Sequence, residues 1–323
     1  MRSLTRDEHH GFDRPRRTRP RTKDRPDYSG AEVARVITVD RGRYRCKLDD
    51  RFITCTKARQ LGRGSVIVGD LVRVVGDTSG TEGTLARIVE VMDRRTVLRR
   101  TADDNDPYER PIVANADQLV IVTALAEPEP RMGMIDRILV AGYDAGISPL
   151  LCLTKADLAS PAALVAAYSP LDVPIVVTEP GADLSPLTGL LTDRVSVFVG
   201  HSGVGKSTLV NALIPGVRRA TGSVNEVTGK GRHTSTSAIA LELPGGGWII
   251  DTPGVRSFGL SHVRPDSVLG AFTDLNEYAE DCPRGCPHDQ GAPECGLDQA
   301  VRDGLLPAER VASFRRMELV FSP

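Results

Sequence analysis

The chain carries the octapeptide Gly200-His201-Ser202-Gly203-Val204-Gly205-Lys206-Ser207, with Thr208 directly after it. This segment matches the phosphate-binding pattern G-x-x-x-x-G-K-[ST] at every position. The apolar run Val195–Val199 precedes it, and a helical pattern with Leu209, Val210 and Leu213 on one face follows it. Glycines let backbone N–H groups turn towards phosphate oxygens, and the helix N-terminus adds a partial positive charge. We therefore predict a nucleotide site, with Lys206 on the β- and γ-phosphates and Ser207 on Mg²⁺.

Short apolar runs alternate with helical patterns through residues 101–262, around this octapeptide. Ile135, Ile138, Leu139 and Gly142 follow the spacing of one helix face. The other apolar runs have the length and composition of buried parallel strands, and they are Leu119–Val122, Leu150–Leu153, Val173–Val177 and Trp248–Ile250. The pattern predicts an α/β domain with a doubly wound, mainly parallel sheet.

Asp251-Thr252-Pro253-Gly254 follows the last of these strands, about 45 residues after the octapeptide. Asp251 stands where phosphate-loop NTPases place a carboxylate on the Mg²⁺ side, and Gly254 would let a backbone N–H approach the γ-phosphate. The polar, glycine-rich segment 229–236 lies between the two motifs. We predict a switch segment there, with Thr234 as first choice and Thr236 as second choice for the Mg²⁺ contact. The alternative is a surface loop without a ligand.

Thr154-Lys155-Ala156-Asp157 follows the predicted strand Leu150–Leu153. In GTPases a [N/T]-K-x-D segment at a strand end recognises guanine, because the aspartate accepts from the ring N–H and from the exocyclic amine. Here the segment precedes the phosphate loop by about 45 residues, whereas in most GTPases it follows that loop. Either the match is accidental or the domain is circularly permuted. A permutation is possible because chain termini can be rejoined at surface loops without disturbing the core. Thr178 is our candidate for a second contact on the guanine side.

Residues 31–100 have the alternating pattern of a small β-barrel, and an OB-fold fits it best. The predicted strands include Arg43–Leu48, Val66–Val68, Leu71–Val75 and Leu85–Val91. Arg43, Arg45 and Lys47 would share one face of a strand. That face is either simply solvated or a platform for nucleic-acid phosphates.

Composition places the chain among soluble globular proteins, with 40% hydrophobic and 26% charged residues. No apolar run approaches the ~20 residues of a membrane helix, and the N-terminus has no secretory pattern. Residues 1–30 hold nine Arg/Lys against five Asp/Glu and predict a disordered basic tail, either solubilising or in contact with nucleic-acid phosphates. Six cysteines without an export signal indicate a cytoplasmic protein.

Three of the six cysteines lie within fourteen residues in the C-terminal segment 263–323, which we predict to form a zinc-binding helical domain. Together with a histidine they offer the ligand set of a closed, tetrahedral, structural zinc site, and they are Cys282, Cys286, His288 and Cys295. The remaining cysteines lie in strand patterns that favour small buried residues, and they are Cys46, Cys55 and Cys152.

A barrel, a permuted GTPase domain and a Cys₃His knuckle together resemble the ribosome small-subunit-dependent GTPase family, RsgA (also called YjeQ), over about residues 31–320. The similar motifs are Val68-Gly69-Asp70, Thr154–Asp157, Gly200–Ser207, Gly231-Arg232-His233-Thr234 and Asp251–Val255. The resemblance implies a GTPase that binds the small ribosomal subunit and its rRNA late in assembly and leaves on hydrolysis. It also implies GTP/GDP, Mg²⁺ and one structural Zn²⁺ as ligands.

The position after D-x-x-G, which holds a water-orienting glutamine in many GTPases, is Val255 in this chain. An apolar side chain cannot orient water, so we expect slow hydrolysis by the chain alone. The resemblance implies that His233 positions the water once the ribosome orders the switch segment. Two departures from the family are Thr154, where asparagine is common, and knuckle spacings that differ by about one residue.

Two other functions remain open from the residues themselves. One is a phosphate-loop ATPase or kinase in which Thr154–Asp157 is accidental. The other is an RNA-binding module whose nucleotide site does not turn over. No heptad pattern or large apolar patch suggests an oligomer, so we expect a monomer that has no membrane partner.

Overall fold

The computed structural model of the chain describes residues 27–62, 64–101, 108–216, 238–253, 259–260, 263, 265–270 and 272–321. Its strands are β1 (Glu32–Asp40), β2 (Arg43–Leu48), β3 (Arg51–Lys57), β4 (Leu71–Gly76), β5 (Ala86–Val91), β6 (Val97–Arg100), β7 (Arg110–Ala114), β8 (Gln118–Ala124), β9 (Ser148–Thr154), β10 (Ile175–Val177), β11 (Val195–Val199), β12 (Ile239–Glu242) and β13 (Trp248–Asp251). Its α-helices are α1 (Met132–Asp144), α2 (Ala162–Tyr168), α3 (Ser185–Leu191), α4 (Lys206–Leu213), α5 (Pro265–Gly270), α6 (Thr273–Ala279), α7 (Gly296–Arg302) and α8 (Ala308–Glu318). Among these helices, none has the length and hydropathy needed to cross a membrane.

The first five strands close into a barrel in the order β1-β2-β3-β5-β4, with β4 pairing back onto β1. Strands β3 and β5 are parallel, and the other neighbouring pairs are antiparallel. Alternate side chains of β2 and β3 fill the interior, and they are Tyr44, Cys46, Leu48, Ile53 and Cys55. The predicted OB-type barrel is therefore confirmed, and Arg43, Arg45 and Lys47 share its outer face as expected.

The expected strand Val66–Val68 is wrong, because only Val68 makes a bridge, to Val113. The backbone turns there instead. Gly69 has φ +90°, in the left-handed region, and an added Cβ would lie 2.1 Å from the carbonyl oxygen of Ala114. The buried Asp70 carboxylate accepts the N–H of Ile67 at 2.8 Å and draws the segment into a tight loop rather than a ladder.

The second half of the sheet runs in the order β10-β9-β8-β11-β13-β12. All of its strands are parallel except β12, which pairs antiparallel with β13. Thr38 of β1 pairs with Ile239 of β12, so the barrel and this sheet are hydrogen-bonded to each other. All five predicted strands of this sheet are present, although the third is confined to Ile175–Val177 and, at the end of the sheet, is half-buried to exposed rather than buried.

Helices cover both faces of the parallel sheet, as the apolar strand runs predict. Ile121, Leu151 and Val197 face the side covered by α1 and α2. Val120, Cys152 and Phe198 face the opposite side, covered by α3 and α4. Because neighbouring residues of a strand point to opposite faces, a strand apolar throughout serves two cores, and the doubly wound α/β prediction is confirmed.

The C-terminal helices pack against α1 and share its hydrophobic core. The Phe272 ring lies edge-on between Tyr143 of α1 and Phe314 of α8, with centroids 5.0 and 5.8 Å away. Arg316 of α8 donates to the buried carboxylate of Asp136 at 3.2 Å. The segment that carries the cysteine cluster is therefore held on the same side of the sheet as α1.

Candidate active site and metal centre

The predicted nucleotide residues lie at the carboxyl ends of the strands of the parallel sheet. Strands β8 and β11 are neighbours, but their connections leave in opposite directions, towards β9 on one side and towards β13 on the other. Such a switch point opens a crevice at the carboxyl ends of the strands, which is where open α/β sheets bind ligands. The loop 200–205 follows β11 directly at this crevice.

Glycines allow the close turn of the phosphate loop. Gly203 and Gly205 have φ of +84° and +90°, both in the left-handed region. A Cβ on Gly200 would lie 2.4 Å from the carbonyl oxygen of Val122 on the neighbouring strand. Helix α4 begins at Lys206, so the backbone N–H groups at its start face the crevice. This geometry suits a phosphate group.

Lys206 joins the phosphate loop to the end of β13. Its ammonium donates to Asp251 Oδ1 at 2.6 Å and also to the carbonyl oxygen of Thr252. Lys206 and Asp251 are both buried. The hydroxyl of Thr252 donates to Phe198 O at 2.7 Å, which holds β13 against β11 where the two strands end. The cation and the carboxylate that the sequence places 45 residues apart are therefore in contact.

Several predicted site residues lie outside the described residues. They are His233, Thr234, Thr236 and Gly254, and the structure places none of them relative to the crevice. Ser207 and Thr208 lie in the first turn of α4, and His201 and Ser202 lie in the loop before it.

The guanine-recognition candidates reach the same crevice from β9. The Thr154 hydroxyl donates to Val204 O at 2.6 Å and lies 3.4 Å from Thr123 O. Lys155 has a left-handed φ of +59°, and its ammonium donates to the carbonyl oxygen of Glu127. Asp157 is exposed at the surface. The bond from Thr154 makes the loop contact that an asparagine would be expected to make.

Thr178, the predicted second contact on the guanine side, directly follows β10. Its N–H donates to Leu153 O at 2.8 Å, and its carbonyl oxygen accepts from Ala156 N–H at 3.2 Å. Its side chain is buried, and its hydroxyl has no hydrogen-bond partner within the described ranges. Thr178 therefore lies directly beside the Thr154–Asp157 segment, and within the described residues its hydroxyl oxygen makes no hydrogen bond.

Sequence reasoning missed three residues that shape this site. They are Thr123, whose carbonyl oxygen lies 3.4 Å from the Thr154 hydroxyl, Glu127, whose carbonyl oxygen accepts from Lys155, and Thr252, which clamps β13. Thr252 lies inside a recognised motif and could have been singled out. Backbone acceptors carry no residue-type signal, so Thr123 and Glu127 could not have been found from the sequence.

The four predicted metal ligands converge in the C-terminal segment, and their ligand atoms all lie within 4.8 Å of one another. His288 Nδ1 is 3.5 Å from Cys282 Sγ and 3.9 Å from Cys295 Sγ. A zinc tetrahedron with bonds of about 2.0–2.3 Å has edges of about 3.3–3.8 Å, so the two separations from His288 Nδ1 are close to those of a zinc site. Burial raises the pKa of Cys282 to about 11, so a bound cation would have to displace its proton.

Neighbouring residues hold the knuckle in shape. Gly296 N–H donates to Cys282 Sγ at 3.1 Å, and an added Cβ at Gly296 would lie 2.2 Å from Tyr278 O. Arg315 donates to His288 O at 2.6 Å and pairs with Asp298 at 2.9 Å. These contacts support the ligands from outside the coordination sphere, as second-sphere groups do in metal sites.

Comparison with known proteins identifies the family. Residues 91–261 match the model of the RsgA GTPase family. A small ribosomal subunit biogenesis GTPase RsgA from Pseudomonas aeruginosa is 44% identical over 248 residues, which cover 74% of this chain and 72% of that protein. The protein of the same name from Azotobacter vinelandii is 42% identical over 262 residues, which cover 78% of this chain and 74% of that protein.

Solved structures share the fold. YjeQ from Thermotoga maritima superposes with a TM-score of 0.67 at 24% identity, covering 90% of this chain and 99% of that one. YloQ, described as a circularly permuted GTPase, superposes with a TM-score of 0.64 at 23% identity, covering 92% of this chain and 97% of that one. The circular permutation accounts for the position of the predicted guanine-recognition segment before the phosphate loop. The family match and these relatives show that this chain belongs to the RsgA GTPase family.

Proposed function

We propose that this chain hydrolyses GTP, binds the small ribosomal subunit late in its maturation, and leaves the subunit on hydrolysis. The observation that carries the GTP assignment is the 2.6 Å hydrogen bond from Thr154 to Val204 O. It joins the predicted guanine-recognition segment to the phosphate loop, so one nucleotide can span both. An accidental T-K-x-D segment would have no reason to contact that loop.

Each part of the nucleotide has candidate partners in the crevice. Asp157 accepts from the guanine ring, Thr154 and Lys155 brace the segment, and Thr178 lies on the guanine side. The phosphates lie on the backbone of Gly200–Gly205 and on the first turn of α4, with Lys206 on the β- and γ-phosphates. Ser207, Asp251 and, in the switch segment, Thr234 would hold Mg²⁺, which neutralises charge on the phosphates when bound.

Hydrolysis depends on water being oriented towards the γ-phosphate. Val255 cannot orient water, so the chain alone turns over slowly, and we assign the orienting role to His233. The backbone N–H of Gly254 would donate to the γ-phosphate. Lys206 stabilises charge that develops during transfer. Loss of the γ-phosphate contacts releases the switch segment and with it the affinity for the subunit.

The partner assignment follows the names of the relatives, which are small ribosomal subunit biogenesis GTPases. We propose rRNA contacts by the basic barrel, a structural zinc ion in the Cys₃His knuckle, a cytoplasmic location, no membrane partner and a monomeric state. The proposed units are the tail 1–30, the barrel 31–100, the GTPase domain 101–262 and the zinc-binding helical domain 263–323.

The test is phosphate release from GTP and from ATP, each with and without purified small ribosomal subunits. We expect slow GTP turnover that rises steeply with the subunit, and no turnover of ATP. Asp157→Ala should abolish the preference for GTP, whereas Asp183→Ala, at another exposed carboxylate of the same domain, should keep it. ATP turnover, or a rate indifferent to the subunit, would contradict the proposal.

A further inference from the structure

His201 is the second residue of the phosphate loop, and its imidazole is hydrogen-bonded to the backbone of the next residue. Nδ1 lies 2.9 Å from the carbonyl oxygen of Ser202. A carbonyl oxygen can only accept a hydrogen bond, so Nδ1 carries the hydrogen and donates. The pattern G-x-x-x-x-G-K-[ST] allows any residue at this position, so a phosphate loop as such does not require this donor.

The hydrogen bond to Ser202 O also fixes the direction of the next N–H group. A peptide unit is planar, and in the trans form its carbonyl oxygen and its N–H point in opposite directions. The unit between Ser202 and Gly203 is trans. The N–H of Gly203 therefore points away from the imidazole that holds Ser202 O.

The same arrangement occurs two residues later in the loop. The Thr154 hydroxyl donates to Val204 O at 2.6 Å, which fixes the N–H of Gly205 in the same way. Gly203 and Gly205 both have left-handed φ, of +84° and +90°. Turns of this kind gather backbone N–H groups into a concavity that binds anions. Two alternate peptide units of the loop are thus each held by one side chain.

The imidazole of His201 lies on the side of the loop that faces α1. It borders a small cavity together with Pro128, Met134 and Ile138. Its hydrogen bond to Ser202 O is partly buried, so water competes less for the carbonyl oxygen. This position suits a residue that holds the loop rather than one that contacts the nucleotide.

We propose that His201 is a positioning residue for GTP hydrolysis, because its hydrogen bond aims the N–H of Gly203 at the oxygen between the β- and γ-phosphates. The inference rests on the proposed hydrolysis of GTP for the reaction and on the bond to Ser202 O for the residue. In phosphate-loop NTPases the backbone of this loop holds the β- and γ-phosphates. When water attacks the γ-phosphorus, the bond from phosphorus to this oxygen breaks, and the electron pair stays on the oxygen as part of GDP. A donor that is already aimed at this oxygen stabilises the negative charge that develops there.

The charge on this oxygen predicts a pattern across ligands. The charge is lowest in GTP, higher in the transition state and highest in GDP. Loss of an aimed N–H should therefore lower both the rate of hydrolysis and the affinity for GDP, and should change the affinity for GTP least. Loss of a merely structural contact would weaken the binding of GTP and GDP alike.

The experiment compares two variants of His201 in the full chain. His201→Leu fills the same space without a donor, whereas His201→Asn carries an N–H donor on the atom next to Cγ, as Nδ1 does. Single-turnover hydrolysis of GTP with small ribosomal subunits separates the chemical step from the release of GDP. In His201→Leu the rate and the affinity for GDP should each fall by about 2- to 12-fold, the range for one hydrogen bond. His201→Asn should restore both.

Thr192→Val is the matched control, because it also removes a hydrogen bond from a side chain to a backbone carbonyl. The Thr192 hydroxyl donates to Thr188 O at 2.9 Å, beside the start of β11 and therefore at the opposite end of that strand from the phosphate loop. The rate and the affinity for GDP should stay at their wild-type values in this variant.

A second readout follows the N–H of Gly203 itself. The chain has three Ser-Gly pairs, at 29–30, 79–80 and 202–203. Labelling with ¹³C-carbonyl serine and ¹⁵N-glycine therefore selects three amide signals in an NMR spectrum, and only that of Gly203 lies in the phosphate loop. GDP should shift this signal downfield in the wild type and in His201→Asn, because the N–H gains a charged acceptor. The shift should be smaller in His201→Leu.

The outcomes separate this inference from the proposed function. A wild type that does not hydrolyse GTP, even with subunits, contradicts the proposed function, and the GDP-induced shift of Gly203 then decides the inference by itself. A wild-type rate, GDP affinity and Gly203 shift in His201→Leu would overturn the inference. It is also overturned if His201→Asn is as impaired as His201→Leu, because the ring and not its donor would then matter, or if GTP and GDP affinities fall equally.

Discussion

The Thr154 hydroxyl lies 2.6 Å from the carbonyl oxygen of Val204, a residue 50 positions later in the chain. This hydrogen bond connects the end of β9 to the loop that follows β11, and β8 lies between these two strands in the sheet. It is made by a threonine at a position where GTPases often have asparagine. The hydroxyl reaches the loop because Thr154 is the last residue of its strand.

Replacing Thr154 by valine should weaken nucleotide binding. Valine has the same shape but no donor, so Val204 O would lose its buried partner, at a cost of about 1–3 kcal/mol. GDP affinity, measured by titration calorimetry, should fall by roughly 5- to 150-fold.

Thr154→Ser is the matched control, because it keeps the hydroxyl and should bind GDP like the wild type. Unchanged GDP affinity in Thr154→Val would mean that the bond does not support the phosphate loop.

Replacing Asp157 by asparagine should change the base preference from guanine to xanthine. Guanine offers two donors, the ring N–H and the amine, whereas xanthine offers the ring N–H and a carbonyl oxygen. An amide supplies one acceptor and one donor, which complements xanthine. The wild type should therefore hydrolyse GTP faster than xanthosine triphosphate, and Asp157→Asn should hydrolyse xanthosine triphosphate faster than GTP.

Asp157 is exposed, so the substitution should leave the folded structure intact, and thermal unfolding checks this. If Asp157→Asn kept the wild-type preference for GTP, this carboxylate would not contact the base.

The purified protein should contain one zinc ion per chain, held by Cys282, Cys286, His288 and Cys295. Elemental analysis measures this directly, and removal of zinc by a chelator should lower Tm, because the knuckle has few apolar residues to hold it otherwise. Gly296→Ala should also lower Tm, since its Cβ would meet Tyr278 O at 2.2 Å.

Cys46→Ala is the control, because Cys46 is buried in the barrel, away from the knuckle, and its loss should leave the zinc content at one. A protein without zinc whose Tm does not respond to the metal would contradict the structural role.

Asp136→Ala should destabilise the protein by about 2 kcal/mol, because it removes a charged hydrogen-bond partner of Arg316 between α1 and α8. Urea unfolding measures this loss. The loss should stay moderate, since Arg316 also donates to Ala167 O and lies over the Tyr168 ring.

Asp136 should also affect how stability depends on pH. Burial raises the pKa of this carboxyl above 3.8, and Arg316 offsets only part of that rise. The stability that comes from proton binding by Asp136 in the native state is therefore fully present below the unfolded-state pKa and is lost as pH rises through the native pKa, whereas the hydrogen bond to Arg316 remains. Asp136→Asn should remove this part of the pH dependence.

Asp49→Asn, at an exposed carboxylate of the barrel, is the comparison and should keep the wild-type profile. Superimposable stability profiles of Asp136→Asn and the wild type would show that Asp136 does not titrate differently in the native state.

Local sequence patterns were sufficient to predict the features that are formed by residues close together in the chain. The phosphate loop is contiguous, and its glycines and lysine are required at fixed spacing, so residues 200–207 could be recognised directly. The buried strands could be recognised because a strand covered on both faces must be apolar throughout. The expectation failed at Val66–Val68, where an apolar run is bent into a loop by Gly69 and by the Asp70 carboxylate, two features that hydrophobic periodicity does not register.

The sequence by itself therefore determined the classes of element, the phosphate loop and the zinc ligand set, because each depends on residues close together in the chain. Only the tertiary structure decided that Lys206 meets Asp251 and that Thr154 meets Val204. The physical reason is that such contacts depend on strand order and register. Those are set by the packing of the whole sheet, in which residues distant in sequence become neighbours, and no local pattern of residues encodes them.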